Sequence, residues 1–321
     1  MNKVYIVIIN YNSYSDTIEC IESLSNIEYS NYQIILVDNC STDNSIECLK
    51  NWCNGDEYKL ETSFPELMRP ISEKPLDFVY LNEDNLETSN YNNRLIFVKA
   101  KQNKGFAAGN NIAINYIIKN NSNAYCWMLN NDTVVKKDAL LNLVEYQKVN
   151  NLGLTGSVLK YYDNPNIIQA VGGKVNSFFG TTSHIVNLSC KEIDYVIGAS
   201  CLVSPKVLRE IGPLSEEYFL YYEDVDYSYR VTSAGHKIGF ANRSLLYHKT
   251  GKSTGANIIA KRRNDDIDLL ILRNKIKFYH KFMSGFFGLY AGFIIVIVLR
   301  ILRGKFNMIK PIIKLLIDKK L

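Results

Sequence analysis

Apolar residues cluster in short runs along the first half of the chain, with polar, helix-compatible stretches between them. Residues 4–9 form a β-rich apolar run, residues 15–24 suit a helix, and residues 33–37 form a second run that ends on Asp38. Two buried parallel strands bridged by a helix is the expected opening of an α/β sheet. Ser41 to Ser45 then supplies N-cap chemistry for a helix running to about Trp52. The pattern repeats, with a strand over 95–98, a helix over 105–118 after a glycine-bearing turn, and a strand over 124–129 that ends at Asn130-Asn131-Asp132. A helix over 138–148 closes this half.

Elsewhere the pattern is less regular. Residues 54–93 are too long for an ordinary connection in an α/β unit, usually about 2–6 residues, and contain Pro65, Pro70 and Pro75. They read as an acidic insertion, solvated or facing a partner, with an edge strand over 76–81. Residues 152–198 alternate short strands with Gly/Asn turns, and short helices follow over 205–211 and 224–234. After Gly255 the character changes. Residues 265–282 are helical and amphipathic, residues 282–299 are 18 positions without a formal charge, and apolar and basic residues alternate from Arg300. The expected division is therefore a catalytic domain over 1–255 and a C-terminal helical, basic segment over 256–321.

Composition narrows the function classes. Of 321 residues, 47% are hydrophobic and 21% charged, enough apolar material for a substantial core. The net charge of +5 arises in the tail: residues 300–321 hold seven basic residues against Asp318 alone, leaving the remainder slightly acidic. No basic stripe crosses the predicted domain, so nucleic acid is not an expected partner. Seven cysteines without CxxC or Cys/His zinc spacing suit a reducing cytosol. The N-terminus lacks the apolar run and cleavage site of a secretory signal and reads as a strand.

In an open α/β sheet, ligands gather beyond the carboxyl ends of the strands. Asp38, the loop 103–111 and Asp132 all fall there. Asp38 is placed to accept from a base N–H or a ribose hydroxyl, while Ser41 and Asp43 suit helix capping. The 103–111 turn, with Gly105 and Gly109, opens a helix whose amides can face an anion. It has neither GxGxxG nor Walker spacing, which counts against a nucleotide-dependent oxidoreductase and an ATPase. Asp132 is the candidate metal residue, because a hard divalent cation accepts a sparse oxygen set when a diphosphate completes it. Glu223, Asp224 and Asp226 open a helix; Asp226 has an i,i+4 partner in Arg230, which leaves Glu223 or Asp224 to act as general base. His248, alone in a polar loop, acquires a role only within a larger pattern.

That pattern resembles the family 2 glycosyltransferases of GT-A fold, most closely the bacterial rhamnosyltransferase-like branch of surface polysaccharide assembly. The likeness spans residues 4–255. It rests on Ile8-Ile9-Asn10-Tyr11-Asn12, Asp38-Asn39-Cys40-Ser41-Thr42-Asp43, Asn103-Lys104-Gly105-Phe106 with Gly109-Asn110-Asn111, and Asn130-Asn131-Asp132. Gly198-Ala199-Ser200 and Phe219 to Asp226 with Arg230 resemble the acceptor-side motif. The resemblance implies a Rossmann-like mixed sheet flanked by helices. Its nucleotide-sugar site would comprise Asn10, Tyr11, Asn12, Asp38, Asn39, Asn103, Gly105, Asn110, Asn130, Asn131 and Asp132. It implies Mg²⁺ or Mn²⁺ at Asp132 and His248, and Asp224 as catalytic base with Glu223 beside it. Asn130 stands where a strict DxD motif has its first Asp.

The expected activity is inverting transfer of a sugar from a nucleoside-diphosphate donor to a lipid-linked saccharide in O-antigen, capsule or wall assembly. dTDP-L-rhamnose is the favoured donor by resemblance, with a UDP-hexose or UDP-N-acetylhexosamine as alternative. A non-catalytic membrane scaffold is the rival from another class. Residues 282–299 approach the ~20 apolar residues of a spanning helix, but the basic residues behind them suit an element lying on an anionic cytoplasmic leaflet. The alternative is a helical hairpin packed on the catalytic domain or on a second subunit of a homodimer. The expected location is therefore cytoplasmic, peripheral to the inner face of the cell membrane.

Overall fold

A computed structural model describes residues 1–86, 89–249 and 265–317. Its elements are β1 (Val4–Asn10), α1 (Tyr14–Leu24), β2 (Tyr32–Asp38), α2 (Ser45–Asn54), β3 (Phe78–Asn82), α3 (Glu83–Leu86), β4 (Leu95–Lys99), α4 (Phe106–Asn120), β5 (Tyr125–Asn130), β6 (Thr133–Val135) and α5 (Ala139–Val149). They continue with β7 (Leu152–Tyr161), β8 (Ile168–Ala170), β9 (Gly172–Asn176), β10 (Thr181–Ile185), β11 (Ser200–Val203), α6 (Pro205–Glu210), α7 (Glu223–Ser233) and β12 (Lys237–His248). Three C-terminal helices follow: α8 (Asp265–Phe282), α9 (Phe287–Leu302) and α10 (Ile309–Ile317).

One mixed sheet dominates, in the order β3-β4-β2-β1-β5-β11-β7-β12-β6, with β8 alongside β7. The strands from β3 to β5 are parallel; β11 runs against both β5 and β7, β12 runs with β7, and β6 runs against β12. Alternation along each strand feeds two cores, because successive side chains point to opposite faces. Ile6, Ile8, Ile34 and Leu36 pack against Ile18 and Leu24 of α1 and Leu140 of α5. Val7, Ile35 and Val37 pack against Ala113, Ile114 and Ile117 of α4. The mixed α/β sheet flanked by helices is thus the expected GT-A architecture. β11 and β12, which the sequence pattern does not predict, complete its mixed half.

Register decides which side chains meet. Asn10 lies beside Asp38, Ile9 beside Asn130, and His248 between Tyr161 and Thr133. The carboxyl ends of β1, β2, β5 and β12 thereby share one edge. β11 enters from the opposite direction, which brings Ala199 against that edge, where Asn130 N–H bonds its carbonyl at 3.0 Å.

The 54–93 segment packs against the domain where it is described. Phe64 stacks on Tyr247 with ring centroids 4.0 Å apart, Lys74 sits over Trp52 and pairs with Glu22, and β3 adds a parallel edge strand to β4. The expected boundary at residues 255 and 256 lies outside the described residues, as do Asp318, Lys319 and Lys320. The apolar stretch 282–299 is not one continuous helix. The chain breaks at Gly285, with φ 81°, so α8 and α9 form a hairpin. No helix among the described residues is long and apolar enough to cross a membrane.

Candidate active site

A cavity of about 390 Å³ opens at the shared strand edge. Tyr11, Asn39, Asn103, Gly105, Asn130, Asn131 and Asp132 line it, and so do Glu223, Asp224 and His248. Seven of the eleven proposed sugar-nucleotide residues therefore share one wall system with both proposed catalytic acids and both proposed metal residues.

Asn10, Asn12, Asp38 and Asn110 do not line the cavity. Asp38 is fully buried, and its carboxylate accepts from Asn10 Nδ2 at 2.7 Å, Ser41 N at 2.9 Å and Ser41 Oγ at 2.6 Å. Asn10 Oδ1 accepts in turn from Thr17 Oγ1. Asn12, with φ 51°, accepts from the amides of Thr42 and Asp43. Asn110 is buried inside α4 and donates to Phe106 O. These side chains hold the turns behind the cavity wall. Ser41 bonds Asp38 in place of the expected cap, whereas Asp43 does accept from Ser45 N at 2.9 Å.

The donor-side loop is tied to the opposite wall through Gly105. Asn103 Oδ1 accepts from Gly105 N and Asn39 Nδ2. Gly105 has φ 97°, and a Cβ there would lie 2.1 Å from Phe219 O, the same carbonyl that accepts from Phe106 N at 2.8 Å. Only glycine fits this left-handed close approach.

Asn130 and Asp132 end β5 differently. Asn131 Nδ2 donates to Thr17 Oγ1 at 2.9 Å, but Asn130 Oδ1 and Asp132 Oδ1 are buried without a hydrogen-bond donor. His248 Nε2 stands 3.2 Å from Asp132 Oδ1, and its Nδ1 lies 2.8 Å from Gln169 Oε1. In the tautomer that donates Nδ1–H to Gln169 Oε1, the Nε2 lone pair would face the carboxylate. Facing acceptors of this kind are stabilised by a cation between them. The donor set therefore fits a divalent ion held by Asp132 and His248 with a diphosphate completing the shell. No group of three His, Cys, Asp or Glu suited to a metal occurs among the described residues, so a diphosphate would have to supply the remaining ligands.

Glu223 and Asp224 open α7 behind two consecutive left-handed residues, Tyr221 and Tyr222, with φ 72° and 73°. Asp224 accepts from the amides of Gly198 at 3.0 Å and Val225 at 2.8 Å. Glu223 Oε2 is buried without a donor. Burial pushes both acids up, and Asp224's charge adds to the rise on Glu223, which reaches about 8. The two amides make Asp224 the member of the pair that ionises first, and Glu223 keeps its proton at neutral pH. Asp226 is structural, as its spacing suggested: it pairs with Arg230 at 2.7 Å and with Lys281 of α8 at 2.6 Å.

Gln169, Ala170 and His184 of the β8–β10 region also line the cavity, as do Phe219, Leu220 and Lys249. The sequence reading assigned no site role to Gln169. Nothing local marks it, since its partner lies 79 positions away. Lys249, next to His248, pairs with Asp16 and Glu19 and ties α1 to the end of β12.

Two stretches, residues 5–62 and 83–212, match the family described as Glycosyl transferase family 2. The unmatched residues 63–82 fall within the 54–93 insertion. A curated relative, the low-salt glycan biosynthesis hexosyltransferase Agl10 of Haloferax volcanii, is 21% identical over 251 residues, covering 74% of this chain and 64% of its own length. Among solved structures, a mannosyltransferase of Pyrobaculum calidifontis in complex with GDP-Man and Mn²⁺ has a TM-score of 0.54 at 14% identity, over 87% of this chain and 64% of that one. TarS of S. aureus in complex with UDP-GlcNAc gives 0.52 at 14%, over 86% and 66%. GalNAc-T7 with UDP, GalNAc and Mn²⁺ gives 0.58 at 12%, over 87% and 48%. These structures share the fold. The family match extends over more than half of the chain and includes Asp38, the 103–111 loop and Asp132, so the chain belongs to glycosyl transferase family 2.

Proposed function

We propose that this protein is an inverting, metal-dependent glycosyltransferase that moves a sugar from a nucleoside diphosphate to a hydroxyl of a lipid-linked saccharide at the cytoplasmic face of a membrane. The observation that carries the reading is the single cavity lined by the Asp132–His248 pair and by Asp224. The GDP-Man, UDP-GlcNAc and UDP complexes of structural neighbours support a nucleotide-sugar donor, and the Mn²⁺ in two of them supports a divalent ion. Rhamnose from dTDP-L-rhamnose rests on the sequence resemblance, with UDP-hexose and UDP-N-acetylhexosamine as its competitors.

In this reading the acceptor hydroxyl approaches Asp224. Its oxygen forms the new bond to the anomeric carbon, its proton passes to the Asp224 carboxylate, and the bond to the diphosphate breaks with the electron pair leaving on the nucleotide. One displacement inverts the anomeric centre. A divalent ion at Asp132 and His248 supplies charge neutralisation for the leaving diphosphate. The Gly198 and Val225 amides hold the Asp224 carboxylate in place, and protonated Glu223 spares it a second adjacent charge.

Hydrolysis of a panel of dTDP-, UDP- and GDP-sugars with Mn²⁺, Mg²⁺ or EDTA tests the proposal. Cleavage of one donor, dependent on the ion, is the expected result. Failure of every donor to bind, with or without metal, would overturn the assignment of this cavity.

A further inference from the structure

α9 is apolar on every side. Arg300 is the only charged residue between Phe287 and Leu302. One stripe, Gly288, Leu289, Gly292 and Phe293, is buried, and its two large side chains join a small core with Leu272 and Ile276 of α8. The opposite stripe, Phe287, Tyr290, Ile294, Val298 and Leu302, recurs every three or four residues and is exposed by 79%, 48%, 62%, 47% and 76%. A helix that ends in water carries polar residues on its outer face; one that is apolar all round is made to be covered.

The patch extends beyond α9. Phe178, in the turn between β9 and β10, meets Phe287 with ring centroids 6.1 Å apart and is itself 48% exposed. On α10, Ile313 and Ile317 are exposed beside Lys310 and Lys314. Arg300 and Lys305 are neutralised by Asp268 and Asp265. Arg303, Lys310 and Lys314 have no carboxylate partner among the described residues. The patch is thus apolar with a positive border.

Two dimensions restrict what covers it. At 1.5 Å per residue, the 16 residues of α9 extend about 24 Å, short of the ~30 Å hydrocarbon core of a bilayer. A second copy of the same face would bring its own cations against Arg303, Lys310 and Lys314, which have no carboxylate partner among the described residues. An anionic lipid surface meets both conditions, since acyl chains take the aromatic and aliphatic side chains and headgroups take the cations.

We propose that α9, α10 and the Phe178 turn form a docking face for an anionic bilayer surface, with the helices lying in it and not crossing it. This deepens the reading of a lipid-linked acceptor and rests on it for its consequence. Asn274 of α8, fully buried, donates to Leu220 O and Tyr221 O at 2.9 Å each. Leu220 and Tyr221 line the catalytic cavity next to Asp224, and Tyr221 and Tyr222 hold left-handed conformations that side-chain-bearing residues rarely adopt. The helical unit that rests on lipid therefore also clamps the acceptor-side wall. A saccharide whose carrier stays in the bilayer would meet the cavity at that wall.

Flotation of the full chain with vesicles of phosphatidylcholine, with or without phosphatidylglycerol, tests the docking face. Binding to the anionic vesicles is expected. The double variant Ile294→Asp/Val298→Asp should lose it by about tenfold or more. Lys310→Glu/Lys314→Glu should lose only the phosphatidylglycerol-dependent part, about fivefold per lysine, together with its salt sensitivity. Thermal protection by UDP or dTDP, read on each variant, shows that the catalytic domain remains folded. Loss of that protection in the parent would sink the donor assignment while leaving the vesicle result standing. A parent that ignores anionic vesicles overturns the docking face. So does a parent dimer that Ile294→Asp/Val298→Asp converts to monomer while vesicle binding is unchanged, because a second copy would then own the patch.

Discussion

The turns that follow β2 and β5 sit near each other at one sheet edge, both rich in Asn and Asp, and they use their polar atoms in opposite ways. Behind β2, Asp38 accepts three hydrogen bonds, Asn10 bonds on both ends of its amide, and Asn12 holds the amides of Thr42 and Asp43. At the end of β5, Asn130 Oδ1 and Asp132 Oδ1 are buried without a donor, and across the cavity Glu223 Oε2 is in the same condition. A buried polar atom left unpaired is destabilising; Ser45 Oγ, Gln147 Oε1 and Thr155 Oγ1 are unpaired away from the cavity, but the Asn130, Asp132 and Glu223 oxygens share its wall. In the proposed mechanism the bonded turn is scaffold, and the unpaired oxygens at the cavity are where ion and proton would be taken up.

The comparison breaks most sharply at Asp224. Asp224→Asn should reduce turnover by about 10³-fold or more while UDP or dTDP still protects the fold thermally; retained turnover would remove the base from the mechanism. Asp132→Asn should weaken Mn²⁺ binding in the presence of nucleoside diphosphate by roughly a hundredfold, read by electron paramagnetic resonance titration. Unchanged binding would show that the orphaned oxygen is not a ligand.

Gln169 tests the same contrast one shell further out. Gln169→Leu leaves the His248 ring without its Nδ1 acceptor and should cost about 10–100-fold in Mn²⁺ affinity, whereas Gln169→Glu retains the acceptor and should restore it. Equal affinity in all three proteins would refute the tautomer argument. On the scaffold side, Asp38→Ala takes the acceptor from the Ser41 amide and hydroxyl and leaves Asn10 Nδ2 only its longer bond to Ser41 Oγ. A loss of about 1–3 kcal/mol in denaturant unfolding is expected, with ion binding per folded molecule unchanged.

The smallest effect concerns Glu223. Burial and its charged neighbour raise this acid from 4.5 to about 8. Between those values the folded chain holds a proton that the unfolded chain has lost, so this group's contribution to stability falls as pH rises through the interval and levels off above it. Glu223→Gln removes that slope. Its melting temperature should exceed the parent's by a margin that widens by a few degrees from pH 5 to pH 8, and a constant margin would contradict the raised pKa.

Much of the first half of the fold was legible because period-2 and period-3.6 patterns are local. β1, α1, β2, α2, β4, α4, β5 and α5 follow from runs of ten or so residues each, whose burial the sheet then satisfies. β11 and β12 were not legible: β11 is only four residues long, β12 is longer but mixed in polarity and shifts register along β7, and neither carries a signature of its partner. The candidate site shows the same boundary. Asp38 and Asp132 read alike, each an acid beyond an apolar run. What separates them is Asn10 and Ser41 around the first, and His248, 116 positions away, beside the second. Likewise Gly105 was legible as a turn glycine but not as the joint to Phe219, which only the approach of two distant loops creates.

Spacing and chemistry along the chain thus determined the sheet's parallel half, the strand-end carboxylates, the Asp226–Arg230 pair and an apolar, basic C-terminal segment. Only the tertiary structure decided which acid is buried in bonds and which is left facing a histidine, which residue orients that histidine, and which side of α9 remains uncovered. The physical reason is range. Periodicity and capping act within a few residues, whereas hydrogen-bond satisfaction and burial are settled by whichever distant segment arrives to meet them.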